Sequence, residues 1–180
     1  SGSVFLMTLA KDNPLGRATL SGRLGLGWEG RFNPPSLQES SLTVRVGAGD
    51  AFGRSVAVDG DTLIVGAPGA DGFGPETAGS GEVFRFTFAG DDYRGVELTG
   101  RYGARYDATP FSGGAAQSVS VEAGDRFGAA VALDRSRIVV GSPGNEGAGN
   151  RTANSGRVFL MKMDDAFRGT PVSQGAADLS

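Results

Sequence analysis

The residues able to do chemistry in this 180-residue chain are mostly carboxylates. Three close pairs stand out: Asp59 with Asp61, Asp91 with Asp92, and Asp164 with Asp165. Two acids held in unlike surroundings can divide into proton donor and proton acceptor, which is the basis of general acid–base catalysis. Other chemistries lack their components. The chain has no histidine and no cysteine, which excludes serine–histidine and cysteine–histidine nucleophiles, imidazole and thiolate metal sites, and disulfides. Neighbouring acids are also what turns between strands contain, where the side chain accepts a hydrogen bond from the local backbone. That role is the commoner one, and the chain reads as non-enzymatic.

The elements that carry these acids repeat. Asp50-Ala51-Phe52-Gly53 is followed by Gly66-Ala67-Pro68, and Asp125-Arg126-Phe127-Gly128 by Gly141-Ser142-Pro143, with Gly53 and Gly128 lying 75 positions apart. Ser1-Gly2-Ser3-Val4-Phe5 returns as Ser80-Gly81-Glu82-Val83-Phe84 and as Ser155-Gly156-Arg157-Val158-Phe159. The chain is therefore about two and a half copies of one unit. It forms a single segment: residues 1–49 end one blade and add an inserted loop, 50–124 make a complete repeat, and 125–180 begin another.

Each unit reads as four short strands. The first spans residues 52–58 and 127–133. The second, 62–67 and 137–142, is a continuous apolar run and suits a strand buried on both faces. The third lies at 4–9, 83–88 and 158–163, and a weaker fourth at 18–24 and 96–102, with extra extended residues at 42–46 and 118–121. Glycine, 31 of 180 residues, sits at the ends of these runs, and Gly and Pro interrupt every window long enough for a helical stripe. Tandem four-stranded units with both faces buried point to an all-β fold of β-propeller blades. Two and a half blades do not close a ring, so the expected setting is part of a larger propeller, with self-association through open blade edges as the other outcome.

Phe52-Gly53 with Gly66-Ala67-Pro68, and Phe127-Gly128 with Gly141-Ser142-Pro143, resemble FG-GAP repeats, the blades of the integrin alpha-chain propeller, also found in secreted bacterial proteins. The resemblance covers residues 50–88 and 125–163 and reaches the remainder through the internal repeat. The repeat here is longer than is usual there, and the surplus falls around 26–43 and 104–118. The resemblance implies an extracellular or cell-surface adhesion module. It also raises calcium, which such blades hold in an Asp-rich loop between the first and second strands. Here that loop has shrunk to Asp59-Gly60-Asp61 and Asp134-Arg135-Ser136, too short for the six or more oxygens that Ca²⁺ takes, so no metal or cofactor is expected.

Ligand contacts are then expected on loops, since loops held by a rigid scaffold carry function. Asp71 and Glu76 lie in the loop 69–79, and Asn145 and Glu146 in its counterpart 144–154. Trp28 and Tyr106, with Phe32, Tyr102 and Phe111, form an aromatic set in and beside the inserted segments, where rings could stack on sugars or anchor a protein. With 17 basic residues scattered among 20 acids and a net charge of −3, no nucleic-acid surface is expected, and no apolar run reaches the roughly 18 residues of a membrane span. The reading is a non-enzymatic scaffold or adhesion module that binds a protein ligand through rim loops. The alternatives are a carbohydrate-binding propeller and the propeller region of a secreted hydrolase.

Overall fold

The computed structural model describes residues 1–9, 18–26, 41–73, 75–90, 93–106, 114–147, 152–163 and 175–177. Among these residues twelve strands follow one another: β1 (Ser3–Thr8), β2 (Thr19–Gly25), β3 (Leu42–Thr43), β4 (Ser55–Asp59), β5 (Thr62–Ala67), β6 (Glu82–Thr87), β7 (Glu97–Gly103), β8 (Ala115–Ser118), β9 (Ala130–Asp134), β10 (Arg137–Ser142), β11 (Arg157–Lys162) and β12 (Gly175–Ala177). The helix among the described residues is a single 3₁₀ turn at Pro75–Thr77. Among the described residues no helix is long and apolar enough to cross a membrane.

The strands form three sheets, ordered β1-β2-β3, β4-β5-β6-β7-β8 and β12-β11-β10-β9. The repeat survives at the level of register. Val83 pairs with Tyr102 and Val158 with Ala177, one repeat apart, and the β-bulge between Leu6 and Met7 returns between Arg85 and Phe86. The complete repeat has five strands rather than the four expected from sequence. β8 runs parallel to β7 and β3 parallel to β2. Parallel neighbours need a long crossover, and the surplus residues after β2 and β7 provide it. The extra strand also begins at Ala115, earlier than the apolar residues at 118–121 suggest.

Two cores hold the sheets together. The first joins Leu6, Leu24, Val44 and Val46 of the first sheet region to Phe52, Leu63, Val65, Phe84 and Phe86 of the second. The second joins Ile64, Val83, Tyr102 and Val119 to Phe127, Ile138, Val140 and Phe159. β5 therefore splits its side chains between two cores, Leu63 and Val65 to one side and Ile64 to the other, and is buried along its whole length. β10 alternates instead, burying Ile138 and Val140 while Val139 stays partly exposed, because the described residues stack no sheet on its far side.

The Phe-Gly turns aim an aromatic ring into each core. Phe52 packs edge-on to Phe84 at 5.3 Å between ring centroids, and Phe127 does the same to Phe159 at 5.2 Å. The residue before each Phe, Ala51 or Arg126, has φ of 55° or 58°, and the following Gly53 or Gly128 has φ of 87° or 88°. A Cβ on Gly128 would stand 2.6 Å from the Glu82 carbonyl oxygen of the neighbouring sheet, so glycine here answers both to the backbone turn and to close approach. Sheet-to-sheet hydrogen bonds reinforce the contact: Gly124, Arg126 and Phe127 donate their N–H groups to Ala78, Gly79 and Ser80 at 2.8–3.1 Å.

Phe127→Ala is expected to lower unfolding free energy by about 3–5 kcal/mol, because it removes a fully buried ring and leaves a cavity between sheets. Gly128→Ala should also destabilise the fold through the strained φ, whereas Leu160→Ala, half exposed on the outer sheet, should cost under about 1 kcal/mol. Denaturant unfolding of the three variants checks the ordering.

Candidate functional site

One end of the sheets collects the loops. Antiparallel pairing of β4, β5, β6 and β7 brings the segments before Ser55, after Ala67, before Glu82 and after Gly103 to a common rim. Each turn before Phe-Gly is closed by its acid. Asp50 Oδ2 accepts the Gly47 N–H at 2.6 Å, and Asp125 Oδ2 accepts the Glu122 N–H at 2.9 Å. The backbone of the same residues ties in the next loop, since Gly69 and Gly144 donate to the Asp50 and Asp125 carbonyls at 3.0 Å. These two acids are turn formers, as their position before Phe-Gly suggests.

Asp71 is exposed and closes the loop 69–79 on itself, its Oδ1 accepting the Gly79 N–H at 2.9 Å while the Thr77 hydroxyl donates to its carbonyl. The same loop is pinned to the segment after β7 by the Phe73 N–H, which donates to the Ala104 carbonyl at 3.0 Å. Phe73 is left 67% exposed, 6.4 Å from the Tyr106 ring. Beside it Glu76 and Arg105 form an exposed ion pair at 2.7 Å. Glu76 and Asp71 are thus brought onto one patch with Phe73.

Tyr106 lies below that patch and is buried. Its hydroxyl donates to Glu82 Oε1, and Arg101 Nη2 pairs with Glu82 Oε2 at 2.7 Å. The Arg101 guanidinium is held between the Phe84 and Tyr106 rings, 5.0 and 5.2 Å from their centroids. The arginine partly repays the desolvation of Glu82 and adds cation–π contact with two rings. Burial pulls the Arg101 pKa down, but Glu82, Tyr106 and Asp50 together more than offset it, and the net shift is upward. Burial pushes the Tyr106 phenol well above its ordinary value, and the adjacent Glu82 pushes it further. Tyr102 is raised too, by burial, with Arg85 opposing.

The other positions singled out from sequence divide. Asn145 is buried: its Nδ2 donates to Asp125 Oδ2 at 2.5 Å and its Oδ1 accepts the Gly147 N–H at 3.0 Å, so it braces its loop from within. Tyr106 likewise faces inward. Glu146 is exposed on the third repeat, away from the Phe73 patch in sequence and sheet. Trp28, Phe32 and Phe111 lie outside the described residues, as do the pairs Asp91–Asp92 and Asp164–Asp165. Asp59 and Asp61 sit at the opposite end of the sheet. Asp59 Oδ2 accepts the Arg135 N–H of the next sheet at 2.6 Å, and Asp61 Oδ1 accepts the Thr62 hydroxyl at 3.1 Å. Among the described residues no three acids gather where a metal ion could be held.

Sequence reasoning passed over Phe73, Arg105 and the Glu82–Arg101 pair. A signal was present, because these are positions where the copies differ: Phe73 stands where the next repeat has Ala148, and Glu82 where it has Arg157. Common positions build the blades, and the departures build the patch.

The FG-GAP repeat pattern matches residues 38–86 and 118–161. Together these spans make up more than half of the chain. The chain belongs to the FG-GAP repeat family. The two matched spans coincide with the two Phe-Gly turns and the hairpins β4–β5 and β9–β10, the elements that build both cores. No curated protein matches the chain. The FG-GAP assignment accords with three blade-like sheets.

The buried phenols set a pH dependence. A tyrosine whose folded pKa lies above the unfolded value, about 10, adds stability that is fully present below that value and is lost as pH rises past it. Unfolding free energy is therefore expected to hold up to about pH 10 and fall above it, as the unfolded chain ionises phenols that the folded chain keeps protonated. Urea unfolding at about pH 8 and about pH 11 measures this, and Tyr106→Phe should flatten the fall.

Proposed function

We propose that this FG-GAP chain is a non-enzymatic extracellular scaffold or adhesion module whose rim loops bind a protein ligand. The observation that carries the reading is Phe73. A phenylalanine 67% exposed on a loop braced by backbone hydrogen bonds is an anchor without a pocket, and a partner protein is what supplies one. Its surroundings match the make-up of a contact patch, with an apolar centre and a polar rim of Asp71, Glu76 and Arg105. The supporting Glu82–Arg101–Tyr106 network means that little ordering is left to do on binding. A carbohydrate-binding role would need exposed ring faces at the inserted segments, and Tyr106 is turned into Glu82 instead. The role assigned to Asp59 and Asp61 is to order turns, so the reading includes no catalytic centre and no calcium requirement.

Binding of the full chain to an arrayed panel of extracellular matrix and cell-surface proteins, run beside a glycan array, tests the reading. A protein hit is expected to weaken about 30-fold on Phe73→Ala, the size of a ~2 kcal/mol hot spot, with the melting temperature unchanged. Binding to glycans alone, or a protein hit indifferent to Phe73→Ala, would overturn it. Thermal unfolding should be superimposable in CaCl₂ and in EDTA, and a calcium-dependent rise would overturn the metal-free reading.

A further inference from the structure

The loop 69–79 that presents Phe73 is attached to two different sheets. Its first half is tied to the second sheet: Gly69 donates its N–H to the Asp50 carbonyl and Phe73 to the Ala104 carbonyl, both at 3.0 Å. Its last residues, with Ser80, are tied to the third. The carbonyls of Ala78, Gly79 and Ser80 accept the N–H groups of Gly124, Arg126 and Phe127 at 2.9, 3.1 and 2.8 Å, and Gly81 bridges Phe127 in parallel. The joint between the two sheets is thus built on the same loop that holds the rim ring in place.

Asp71 links the two halves. Its Oδ1 accepts the Gly79 N–H at 2.9 Å and its carbonyl accepts the Thr77 hydroxyl, while the Gly81 N–H returns to the Ala70 carbonyl at 2.8 Å. Gly79 is therefore held on both sides, its N–H by Asp71 and its carbonyl by Arg126. With φ at 64° and no side chain of its own, it is free to reorient once either restraint is lost. The third repeat closes its loop differently. Glu146, longer by one methylene, stands at the position of Asp71, and it is the backbone that closes, the Thr152 N–H donating to the Glu146 carbonyl at 3.3 Å.

We infer that the rim loop and the joint between the second and third sheets open and close as one unit, with Asp71 as the positioning residue that couples them. A local opening is an equilibrium whose free energy is set by the hydrogen bonds and contacts it breaks. Releasing the segment around Asp71 leaves the Gly79 N–H without its acceptor, and Gly79 then turns its carbonyl away from Arg126. Opening the joint first frees the same glycine from the other side. The coupling is reciprocal. One consequence rests on the reading of Phe73 as the anchor for a protein ligand: a partner that holds the loop closed tightens the joint, and a loosened joint weakens the partner's hold.

The other tie in the loop does not reach the joint. The Glu76–Arg105 ion pair runs from the loop to the segment after β7, within the second sheet, and both side chains are exposed, so it contributes little. The Asp71 carboxylate is the side chain whose removal breaks the link and leaves every backbone donor and acceptor of the joint in place.

Amide hydrogen exchange, followed residue by residue on the full chain, tests the coupling with no partner present. Asp71→Ala removes the acceptor and is expected to speed exchange at Gly124, Arg126 and Phe127 about 10-fold, the effect of losing one hydrogen bond to a charged group, while Ile64 and Ile138 keep their rates. Asp71→Asn keeps an Oδ1 acceptor and drops only the charge, so its rates are expected to match those of the unaltered chain. In the reverse direction Gly124→Ala strains a φ of 83° and is expected to speed exchange at Gly79 and Phe73. The inference is overturned by a rise in Asp71→Ala confined to the loop, by an equal rise at Ile64 and Ile138, by Asp71→Asn exchanging as fast as Asp71→Ala, or by Gly79 and Phe73 amides indifferent to Gly124→Ala. No partner enters the measurement, so these outcomes leave the reading of Phe73 as an anchor standing, and a failed search for a partner leaves the coupling standing.

Discussion

The ring that each Phe-Gly turn drives into the space between sheets is the contact on which everything else in the molecule depends. Phe52 and Phe127 are 3% and 0% exposed, and each meets its own third strand edge-on while walling the core shared with the preceding sheet. Placing a ring there requires the chain to reverse within a few residues. That is why Ala51 and Arg126 accept a left-handed backbone and why glycine follows each Phe. The turn is held from both sides, by an acid that accepts its backbone N–H and by a carbonyl that ties in the next loop. Removing the ring would open a cavity between two sheets still joined by the cross-sheet backbone hydrogen bonds and the rest of the core.

The rim inherits its order from this frame. Glu82 begins β6 directly beside the point where Phe127 crosses from the next sheet, and its carboxylate gathers Arg101 from β7 and Tyr106 from the loop beyond. A buried ion pair of this kind is weak evidence of net stability, since desolvation offsets much of the attraction. Its effect is positional. It fixes the segment after β7, that segment fixes the Phe73 loop through a backbone hydrogen bond, and an apolar ring is thereby kept outside rather than folding onto the sheet.

Much of the architecture was legible without coordinates. The spacing of Phe-Gly and Gly-Ala/Ser-Pro marks the hairpins, the unbroken apolar run at 62–67 marks a strand between two cores, and the lack of histidine and cysteine closes off whole classes of chemistry. These readings are secure because they rest on local pattern and on residue inventory, which tertiary structure does not alter. What only the fold decided is which side chains face water. Asn145 and Tyr106 have the composition of contact residues and are turned inward by Asp125 and Glu82, partners 20 and 24 positions distant. Phe73, which composition would place in a core, is held outside by a loop too tightly tied to reach one. The parallel fifth strand belongs to the same class, since its pairing depends on a crossover whose course no periodicity records. Local sequence determined the blades; long-range hydrogen bonds and stacking determined the surface, because exposure is a property of what lies across a gap and not of the residue itself.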